Sequence, residues 1–355
     1  MKKDYLIVGQ GLAGTLLAYV LIQQGKQVVV VDEAASSTSS KVAAGLYNPI
    51  VFKRIVKSWM VDEVLPCADA LYASLEKELD ATFHFKRQIV KLFSSDEERK
   101  FWLEKAAKPE LEAYLTNQTE ANFFTDKIEN EFECAFVKQS GYLDIPMFLS
   151  RMKDYLIHRG AYVEACFDSA DVKLEQDSVI WKNYSASKLI FCEGYKCTQN
   201  PYFKWLPFVL TKGEVLRIRI ENFETDKVIN KGVFFLHLGN SIYKVGATYE
   251  WKELSELPTE KGRSELVEKL KQVLKLPFEI VEHSAGIRPT VKDRRPLIGL
   301  HPNYPQLGIF NGLGTKAVLL APYFALQFAA YLDGKGALNK EVQLERYASL
   351  LPKKN

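Results

Sequence analysis

The sequence predicts a mixed α/β fold, α+β overall, in which an opening βαβ unit is joined to a second domain built on an antiparallel sheet. Three observations predict it. An apolar run, a glycine-rich loop and an apolar helix open the chain in that order. Short apolar runs typical of buried parallel strands return at residues 188–192 and 307–310. Between them, residues 214–220 alternate apolar with charged side chains, which is typical of an antiparallel strand with one exposed face.

Composition limits the classes of protein that this chain can represent. Its 355 residues are enough for a large core and more than one domain. Hydrophobic residues make up 47% and charged residues 26%, the balance of an ordinary globular protein. The formal net charge of +3 is too small to indicate a polyanionic partner, so a nucleic-acid partner is not expected.

Cysteine and histidine are scattered rather than clustered. None of the five cysteines forms a C-x-x-C pair, and the five histidines lie far apart in sequence. We therefore expect no metal site, and we interpret the cysteines as small buried apolar residues in a reducing compartment. The cysteines are Cys67, Cys134, Cys166, Cys192 and Cys197.

The N-terminus resembles a signal peptide or a membrane span at first sight, because Lys2 and Lys3 precede an apolar stretch over residues 5–22. Glycines interrupt this stretch, no small-residue cleavage site follows it, and a second apolar run ends in an acidic residue. No other segment is judged long enough to span a bilayer. The prediction is a cytoplasmic protein with no membrane partner.

The opening residues give the strongest local signal. Residues 5–8 form an apolar run and lead directly into Gly9-Gln-Gly-Leu-Ala-Gly14. Apolar residues then recur at helical spacing from Leu12 onward, and the second apolar run, residues 28–31, ends in Asp32 and Glu33. This order of strand, glycine loop, helix and strand is typical of a site for a dinucleotide.

Each part of this unit has a physical role. Gly9 allows a tight turn, Gly11 lets the backbone approach a pyrophosphate, and Gly14 lets the helix pack close to the strand. The helix N-terminus, at Leu12 and Ala13, presents N–H groups and the positive end of a dipole to phosphate. The carboxylate of Asp32 suits the ribose hydroxyls and would repel a 2′-phosphate, which disfavours NADP. The motif alone favours NAD and FAD equally, and a glycine turn without a ligand is the alternative.

Two further glycine-containing segments follow. The segment Val42-Ala-Ala-Gly45 comes after a Ser/Thr-rich loop, and its small side chains indicate backbone packed against a flat ligand or, alternatively, an ordinary surface loop. Asn311-Gly-Leu-Gly314 leads into an apolar helix over residues 317–332, which creates a second place where a helix N-terminus can face a ligand.

Five segments, taken in order, resemble the FAD-dependent D-amino-acid oxidase and glycine oxidase family, which also includes sarcosine oxidase. The last segment has the most specific spacing. The segments are the opening loop with Asp32; Ser39-Ser40-Lys41 leading to Ala43-Ala44-Gly45; residues 189–192 with Glu193-Gly194; Lys212-Gly213-Glu214 with Val245-Gly-Ala-Thr248; and Ala285-Gly-Ile-Arg-Pro289 through Asp293, Pro296, Gly299 and the final glycine turn.

The resemblance implies a Rossmann-like FAD-binding domain with an antiparallel-sheet substrate domain over the flavin. The FAD-binding domain is predicted over residues 1–80, 135–205 and 285–355, and the sheet-rich substrate domain over 81–134 and 206–284. The implied reaction removes a hydride from the carbon next to an amine and gives an imine that hydrolyses; reduced flavin then passes its electrons to oxygen or another acceptor. Since no cysteine lies in residues 198–355 and no histidine lies in the Ser39 loop, noncovalent FAD is expected.

By the same resemblance, Arg288 anchors the substrate carboxylate; a structural arginine at the domain junction is the alternative. Tyr249 and Tyr243 are expected to give a second polar contact, or to be ordinary sheet aromatics. The cofactor is expected to contact Gly9, Gly11, Leu12, Ala13, Gly14, Asp32, Glu33, Ser40, Lys41, Ala43, Ala44, Gly45, Glu193, Gly194, Arg288, Gly312, Leu313, Gly314, Thr315 and Lys316.

The expected partner is a small amine or amino acid, with the oligomeric state left open. An alternative activity arises because Gly314-Thr-Lys-Ala317 looks closer to the oxidase domain of the bifunctional enzyme that matures the tRNA wobble uridine, which oxidises a carboxymethylaminomethyl group. Lys292, Arg294, Arg295 and Lys316 would then form a positive mouth, against the alternative of a solvated basic turn. A flavin-binding protein without turnover is the third hypothesis.

Overall fold

The computed structural model describes residues 2–35 and 37–352, so one residue of the Ser/Thr-rich loop and both ends of the predicted FAD-binding domain lie outside the described residues. The helices are α1 (Leu12–Gln23), α2 (Ser39–Val42), α3 (Val61–Leu79), α4 (Asp96–Ala106), α5 (Ile145–His158), α6 (Glu260–Lys271) and α7 (Ala317–Leu332).

The strands are mostly short and fall into four sheets. They are β1 (Lys2–Val8), β2 (Val28–Asp32), β3 (Leu46–Tyr47), β4 (Ile50–Val51), β5 (Val56–Lys57), β6 (His84–Lys86), β7 (Ile89–Leu92), β8 (Cys134–Val137), β9 (Gly141–Leu143), β10 (Tyr162–Glu164), β11 (Val172–Leu174), β12 (Val179–Trp181), β13 (Tyr184–Phe191), β14 (Thr211–Arg219), β15 (Val228–Lys231), β16 (Val233–Gly239), β17 (Ile242–Gly246), β18 (Glu279–Arg288), β19 (Leu297–His301) and β20 (Tyr304–Asn311).

An eight-stranded sheet carries the nucleotide-binding unit. Its strands β10, β2, β1, β13 and β20 run parallel in that order, and β12, β11 and β19 are attached antiparallel. In register, Leu6 faces Val29 on one side and Leu189 on the other, so β1, β2 and β13 end at the same edge. Ligands of open α/β sheets bind beyond this carboxyl edge.

Both faces of this sheet are covered, which explains its continuous apolar strands. One face packs with α1, α5 and α7 into the largest apolar core, and the other packs with buried side chains that include Trp181 and Phe203. Helix α7 lies against α1 and α3.

Residues Gly314–Leu332 are long and apolar enough to cross a membrane by length and composition, so the prediction that no further segment reaches this length was wrong. Half of the most apolar stretch is buried within the fold, including Leu320, Phe324 and Phe328. The packing against α1 and α3 explains the apolar composition of this helix.

A seven-stranded sheet in the order β18-β14-β17-β16-β15-β7-β8 forms the second unit, antiparallel except where β15 meets β7. Helix α6 packs Leu266 and Leu270 against one of its faces. The alternation predicted for β14 holds only at its end, since Arg217 and Arg219 are exposed while the first six residues are all buried.

Strand pairing differs from the predicted domain boundaries in two places. Strand β8 pairs with β7 in the seven-stranded sheet although residues 135–137 were assigned to the FAD-binding domain. Strand β18 pairs with β14 along its whole length, across the predicted boundary at residue 285. Sheet hydrogen bonding, which sequence composition does not reveal, sets both limits.

Candidate active site

A cavity of about 880 Å³ opens at the carboxyl edge of the eight-stranded sheet and extends to the seven-stranded sheet. We call it the main cavity. One end is lined by the opening glycine loop and Asp32, and the other by Gly213, Val215, Phe234 and Arg288. Its volume lies in the upper part of the range of small-molecule and cofactor pockets.

At the first end, the glycine loop has almost no space for side chains. Gly9 has a φ of +101°, and a Cβ there would lie 2.6 Å from the carbonyl oxygen of Cys192. A Cβ on Gly14 would lie 1.9 Å from the carbonyl oxygen of Gly9. Helix α1 begins after Gly11 with no side-chain cap and no acidic residue in its first turn. Its N-terminal N–H groups therefore suit an anionic ligand.

Asp32 is held rigidly beside this loop. Its Oδ2 accepts a hydrogen bond of 2.7 Å from the backbone N–H of Gln10, and its Oδ1 accepts one of 2.8 Å from the N–H of Ala34. Since each carboxylate oxygen has a second lone pair, the side chain can still accept hydrogen bonds from sugar hydroxyls.

Glu193 and Gly194 are fixed on the opposite wall. Asn200 donates a hydrogen bond of 2.8 Å to the Glu193 carboxylate, and Asn311 donates one of 2.8 Å to the carbonyl oxygen of Gly194. Burial raises the pKa of Glu193, and the hydrogen bond from Asn200 opposes this effect. Lys196 forms an ion pair with Glu33 at the rim.

The small residues of the middle segment allow backbones to approach closely. Gly45 has a φ of +69°, and a Cβ there would lie 1.9 Å from the carbonyl oxygen of Leu143. A Cβ on Gly286 would lie 3.2 Å from the Cα of Ser39, so β18 runs directly beside α2. Ala43, Ala44 and Gly45 also line the main cavity. Both features together account for the run of small side chains.

Arg288 dominates the second end of the cavity. Its guanidinium lies over Gly213, where a Cβ would be 1.8 Å from Nη2. It donates long hydrogen bonds of 3.3 Å to the carbonyl oxygen of Lys212 and 3.4 Å to that of Thr248, and its Cζ lies 4.6 Å from the ring centroid of Tyr249. Burial lowers the pKa of this guanidinium. No acidic side chain of the described chain forms an ion pair with it.

The structure brings most of the predicted site residues to one cavity. Those that line it are Gly9, Gly11, Leu12, Ala13, Asp32, Glu33, Ser40, Lys41, Ala43, Ala44, Gly45, Glu193, Gly194, Tyr249, Arg288, Leu313, Gly314 and Thr315. Gly14 stands behind the loop, in the helix-packing role predicted for it.

Tyr243 does not belong to the site, so that prediction was wrong. Its side chain is 0% exposed, and its hydroxyl donates a hydrogen bond of 2.8 Å to the carbonyl oxygen of Phe223. It stacks on Phe223 in the core between the seven-stranded sheet and α6. The alternation of β17 directs it away from the cavity.

Gly312 and Lys316 do not line the cavity either, contrary to the prediction. A Cβ on Gly312 would lie 2.7 Å from Cγ2 of Val291, so this glycine serves packing. The ammonium group of Lys316 donates hydrogen bonds of 2.9 Å to the carbonyl oxygen of Asn48 and 3.0 Å to Oγ of Ser58. Lys316 therefore adds no charge to a positive mouth.

Sequence reasoning missed several lining residues. Asn230, Val233 and Phe234 reach the cavity from the ends of β15 and β16, and Ala165 to Phe167 reach it from beyond β10. Their sequence context gives only an apolar strand and a loop. Strand order and register bring these residues to the cavity, and neither can be read from a single sequence.

Over residues 2–35 and 37–352, no group of three or more His, Cys, Asp and Glu side chains is arranged to hold a metal ion. Among the described lining residues, Cys166 and Cys192 are the cysteines, and both lie near the glycine-loop end with Asp32 and Glu193.

Comparison with known proteins decides the family. The family model described as DAO, FAD dependent oxidoreductase, matches residues 4–331. This protein belongs to that family. It is therefore an FAD-dependent oxidoreductase, and the predicted family, enzyme class and cofactor are confirmed.

Individual relatives agree with this assignment. Glycine oxidase of Bacillus subtilis is 24% identical over 91% of each chain. The bifunctional tRNA 5-methylaminomethyl-2-thiouridine biosynthesis protein MnmC of Marinobacter nauticus is 21% identical over 90% of this chain but only 54% of its own length. The crystal structure of glycine oxidase from Geobacillus kaustophilus superposes with a TM-score of 0.80 at 17% identity, covering 98% of each chain. This likeness confirms the predicted fold class.

The residues of this oxidoreductase fit FAD. Gly9 and Gly14 have no room for a Cβ, the start of α1 lacks a side-chain cap, and the Asp32 carboxylate is already oriented by two backbone N–H groups. These groups match the phosphates and ribose of an adenine dinucleotide. The cavity then continues past Ala43 and Ala44 to the Arg288 end.

Proposed function

We propose that this enzyme oxidises the carbon next to the amine of a small amino acid or secondary amine that carries a carboxylate. Arg288 carries the proposal: it is a half-buried guanidinium at the cavity wall, and no acidic side chain of the described chain pairs with it. Burying a charge without a partner is costly, so such a group is suited to a ligand of opposite charge.

The geometry around Arg288 supports a carboxylate ligand. Its hydrogen bonds to carbonyl oxygens are long, at 3.3 and 3.4 Å, so its fork of N–H groups is only weakly engaged. A carboxylate accepts two parallel hydrogen bonds from such a fork and is thereby oriented as well as bound. The missing Cβ of Gly213 makes room for the guanidinium in this position.

The chemistry divides between cofactor and protein. Bound FAD supplies the acceptor for the hydride that leaves the substrate carbon. Arg288 fixes the carboxylate and thereby selects which C–H bond faces the acceptor. Val215 and Phe234 present apolar surface beside it and exclude water. The amine enters as its neutral form and releases its N–H proton to water, so the product is an imine, which water hydrolyses to a carbonyl compound and either ammonia or an amine.

The remaining assignments belong to the same proposal. The relatives named glycine oxidase support an amino-acid substrate, and we propose that FAD is held without a covalent bond by the lining residues given above, apart from Arg288 and Tyr249, whose main contacts are with the substrate. The two sheets are proposed to correspond to the FAD-binding and substrate domains. All five cysteines are free, which supports a reducing compartment such as the cytoplasm.

A second candidate is oxidation of a carboxymethylaminomethyl group on tRNA, which the match to the Marinobacter nauticus protein favours. Of the four residues of the predicted positive mouth, only Lys292 and Arg294 are exposed, so the mouth supports this candidate only in part. Arg295 pairs with Glu341 at 2.9 Å and lies over Trp59, and Lys316 points into the protein. Binding of tRNA that weakens with added salt would support this candidate, and no binding at low salt would exclude it.

Replacement of Arg288 by leucine tests the proposal. We expect the variant to retain FAD but to lose at least tenfold in kcat/KM for glycine or sarcosine, since a charged hydrogen-bond pair contributes about 1.5–3 kcal/mol. Arg217→Leu is the matched control, because Arg217 lies exposed on the same strand pair and joins only Glu282. Equal activity of the two variants on carboxylate substrates would contradict the proposed role of Arg288.

A further inference from the structure

Two large aromatic side chains stand exposed at the mouth of the main cavity. After β17, Tyr249 is 54% and Trp251 59% exposed, and their rings are stacked with centroids 6.2 Å apart at 27°. Tyr249 lines the cavity, and Trp251 stacks on Tyr249 without lining the cavity itself. Exposed aromatic surface next to a binding cavity is typical of a place where a ligand binds.

The segment that carries these rings is held in place by contacts of the residues before and after Trp251. Glu250 exchanges two backbone hydrogen bonds with Lys212, of 2.8 and 3.0 Å, and its carboxylate pairs with Lys261 at 2.8 Å. The buried ammonium of Lys212 then reaches Glu253 at 2.7 Å. Because these contacts flank Trp251, the aromatic pair is preorganised and needs little ordering when a ligand binds.

The pair is also continuous with the carboxylate anchor. The guanidinium of Arg288 lies 4.6 Å from the centroid of the Tyr249 ring, and the exposed Trp251 stacks on the same tyrosine. A ligand whose carboxylate pairs with Arg288 therefore has aromatic surface beside its remaining atoms as they extend toward the mouth.

We propose that the substrate is a carboxylate-bearing amine that also carries a flat aromatic or heterocyclic group, and that Tyr249 and Trp251 form a stacking platform for this group. The inference rests on the proposed function and narrows its substrate class. Flat π-systems stack on Tyr and Trp whatever their hydrogen-bonding pattern, whereas a plain alkyl tail gains less from such a surface. Trp251 is thus a specificity-determining residue outside the reacting centre.

The test compares N-benzylglycine with sarcosine, which share the N-substituted glycine and differ in the flat group. We expect wild type to prefer N-benzylglycine, and Trp251→Ala to lower the ratio of the two kcat/KM values about tenfold, as loss of one stacking contact predicts. Lys252→Ala is the matched control, since Lys252 neighbours Trp251 in the same segment and is exposed. The control is expected to leave the ratio at the wild-type value.

A binding measurement separates this inference from the proposed function. Benzyloxyacetate and methoxyacetate replace the amine by an ether and resist oxidation, and their Kd values follow from the flavin absorption of the holoenzyme. If benzyloxyacetate binds more tightly than methoxyacetate, this difference depends on Trp251, and no amine is turned over, then the proposed function is refuted and the stacking platform is retained. If the enzyme oxidises sarcosine, and Trp251→Ala changes the ratio of the kcat/KM values for N-benzylglycine and sarcosine by less than twofold, the stacking platform is overturned. A preference for 5-carboxymethylaminomethyluridine over N-benzylglycine would support the stacking platform and identify the flat group as a nucleobase.

Discussion

Replacing Gly213 by alanine should displace the guanidinium of Arg288 without touching the arginine itself. Gly213 lies within β14, where its backbone is extended and an alanine is tolerated. The added Cβ would lie 1.8 Å from Nη2, 2.2 Å from Cζ and 2.5 Å from Nη1 of Arg288. All three distances are far below van der Waals contact, so the whole planar group has to move toward the cavity.

The size of the effect follows from this displacement. Contact distances for carbon are about 3.5 Å, so the guanidinium must shift by more than 1 Å, on the order of the tolerance of a bidentate hydrogen bond. Loss of a charged hydrogen-bond pair costs about 1.5–3 kcal/mol. We therefore expect Gly213→Ala to lower kcat/KM for a carboxylate-bearing amine about 10- to 100-fold.

The assay is steady-state oxidation of glycine and sarcosine by purified Gly213→Ala holoenzyme, with the FAD content and Tm measured in parallel. Gly336→Ala is the matched control, since a Cβ there would meet Ala330 at 3.4 Å, an ordinary contact remote from the cavity. If Gly213→Ala binds FAD, keeps its Tm and loses less than twofold in kcat/KM, then Arg288 does not position the substrate and the reasoning is refuted.

Other expectations follow from single residues. Asp32→Ala should weaken FAD binding about tenfold or more, which titration of the apoprotein with FAD measures. Gly14→Ala should yield protein without flavin, because its Cβ would lie 1.9 Å from a carbonyl oxygen of the loop; a normal flavin content would contradict this. Lys212→Met should lower stability by about 3 kcal/mol, since it removes a buried cation beside Glu214, which is only 2% exposed; urea unfolding measures the change. Burial lowers the pKa of Lys316 from 10.5 to about 8, so the unfolded chain binds more protons between these values and stability from this group rises with pH there. Lys316→Met should lack that rise. Urea unfolding at about pH 7 and pH 9.5 measures it, and an equal change in the free energy of unfolding for wild type and variant would contradict the lowered pKa of Lys316.

The opening unit could be predicted in detail because its constraints are local. Gly9 needs a positive φ, Gly14 has no room for a Cβ, and Asp32 is the last residue of its strand. These properties depend on neighbours within one βαβ unit, which the sequence displays in order. Most of the residues that line this end of the cavity were therefore predicted from the sequence.

The substrate end was predicted less well because it depends on tertiary pairing. Arg288 was identified through resemblance, but its contact with Gly213 arises from the pairing of β14 with β18, and the two residues are far apart in sequence. Tyr243 was misplaced because the face of β17 that meets the cavity is set by its register with β14 and β16. Phe234 and Asn230 were missed for the same reason.

The burial of charged side chains was also not predicted from the sequence. The alternation in β14 predicted an exposed face, yet Lys212 and Glu214 are covered by the segment after β17 and by the start of α6. Lys316 was expected at the cavity and instead satisfies Asn48 and Ser58. In each case, the partner of a polar side chain comes from a distant segment.

The most direct test of the central claim is anaerobic mixing of the purified holoenzyme with matched pairs of amines while the visible absorption of the flavin is followed. One member of each pair carries a carboxylate, as in sarcosine, and the other lacks it, as in dimethylamine. The account predicts that the flavin is bleached by carboxylate-bearing amines and that Arg288→Leu removes this preference. Protein that takes up no FAD, or flavin that is bleached equally well by both members of each pair, would contradict it.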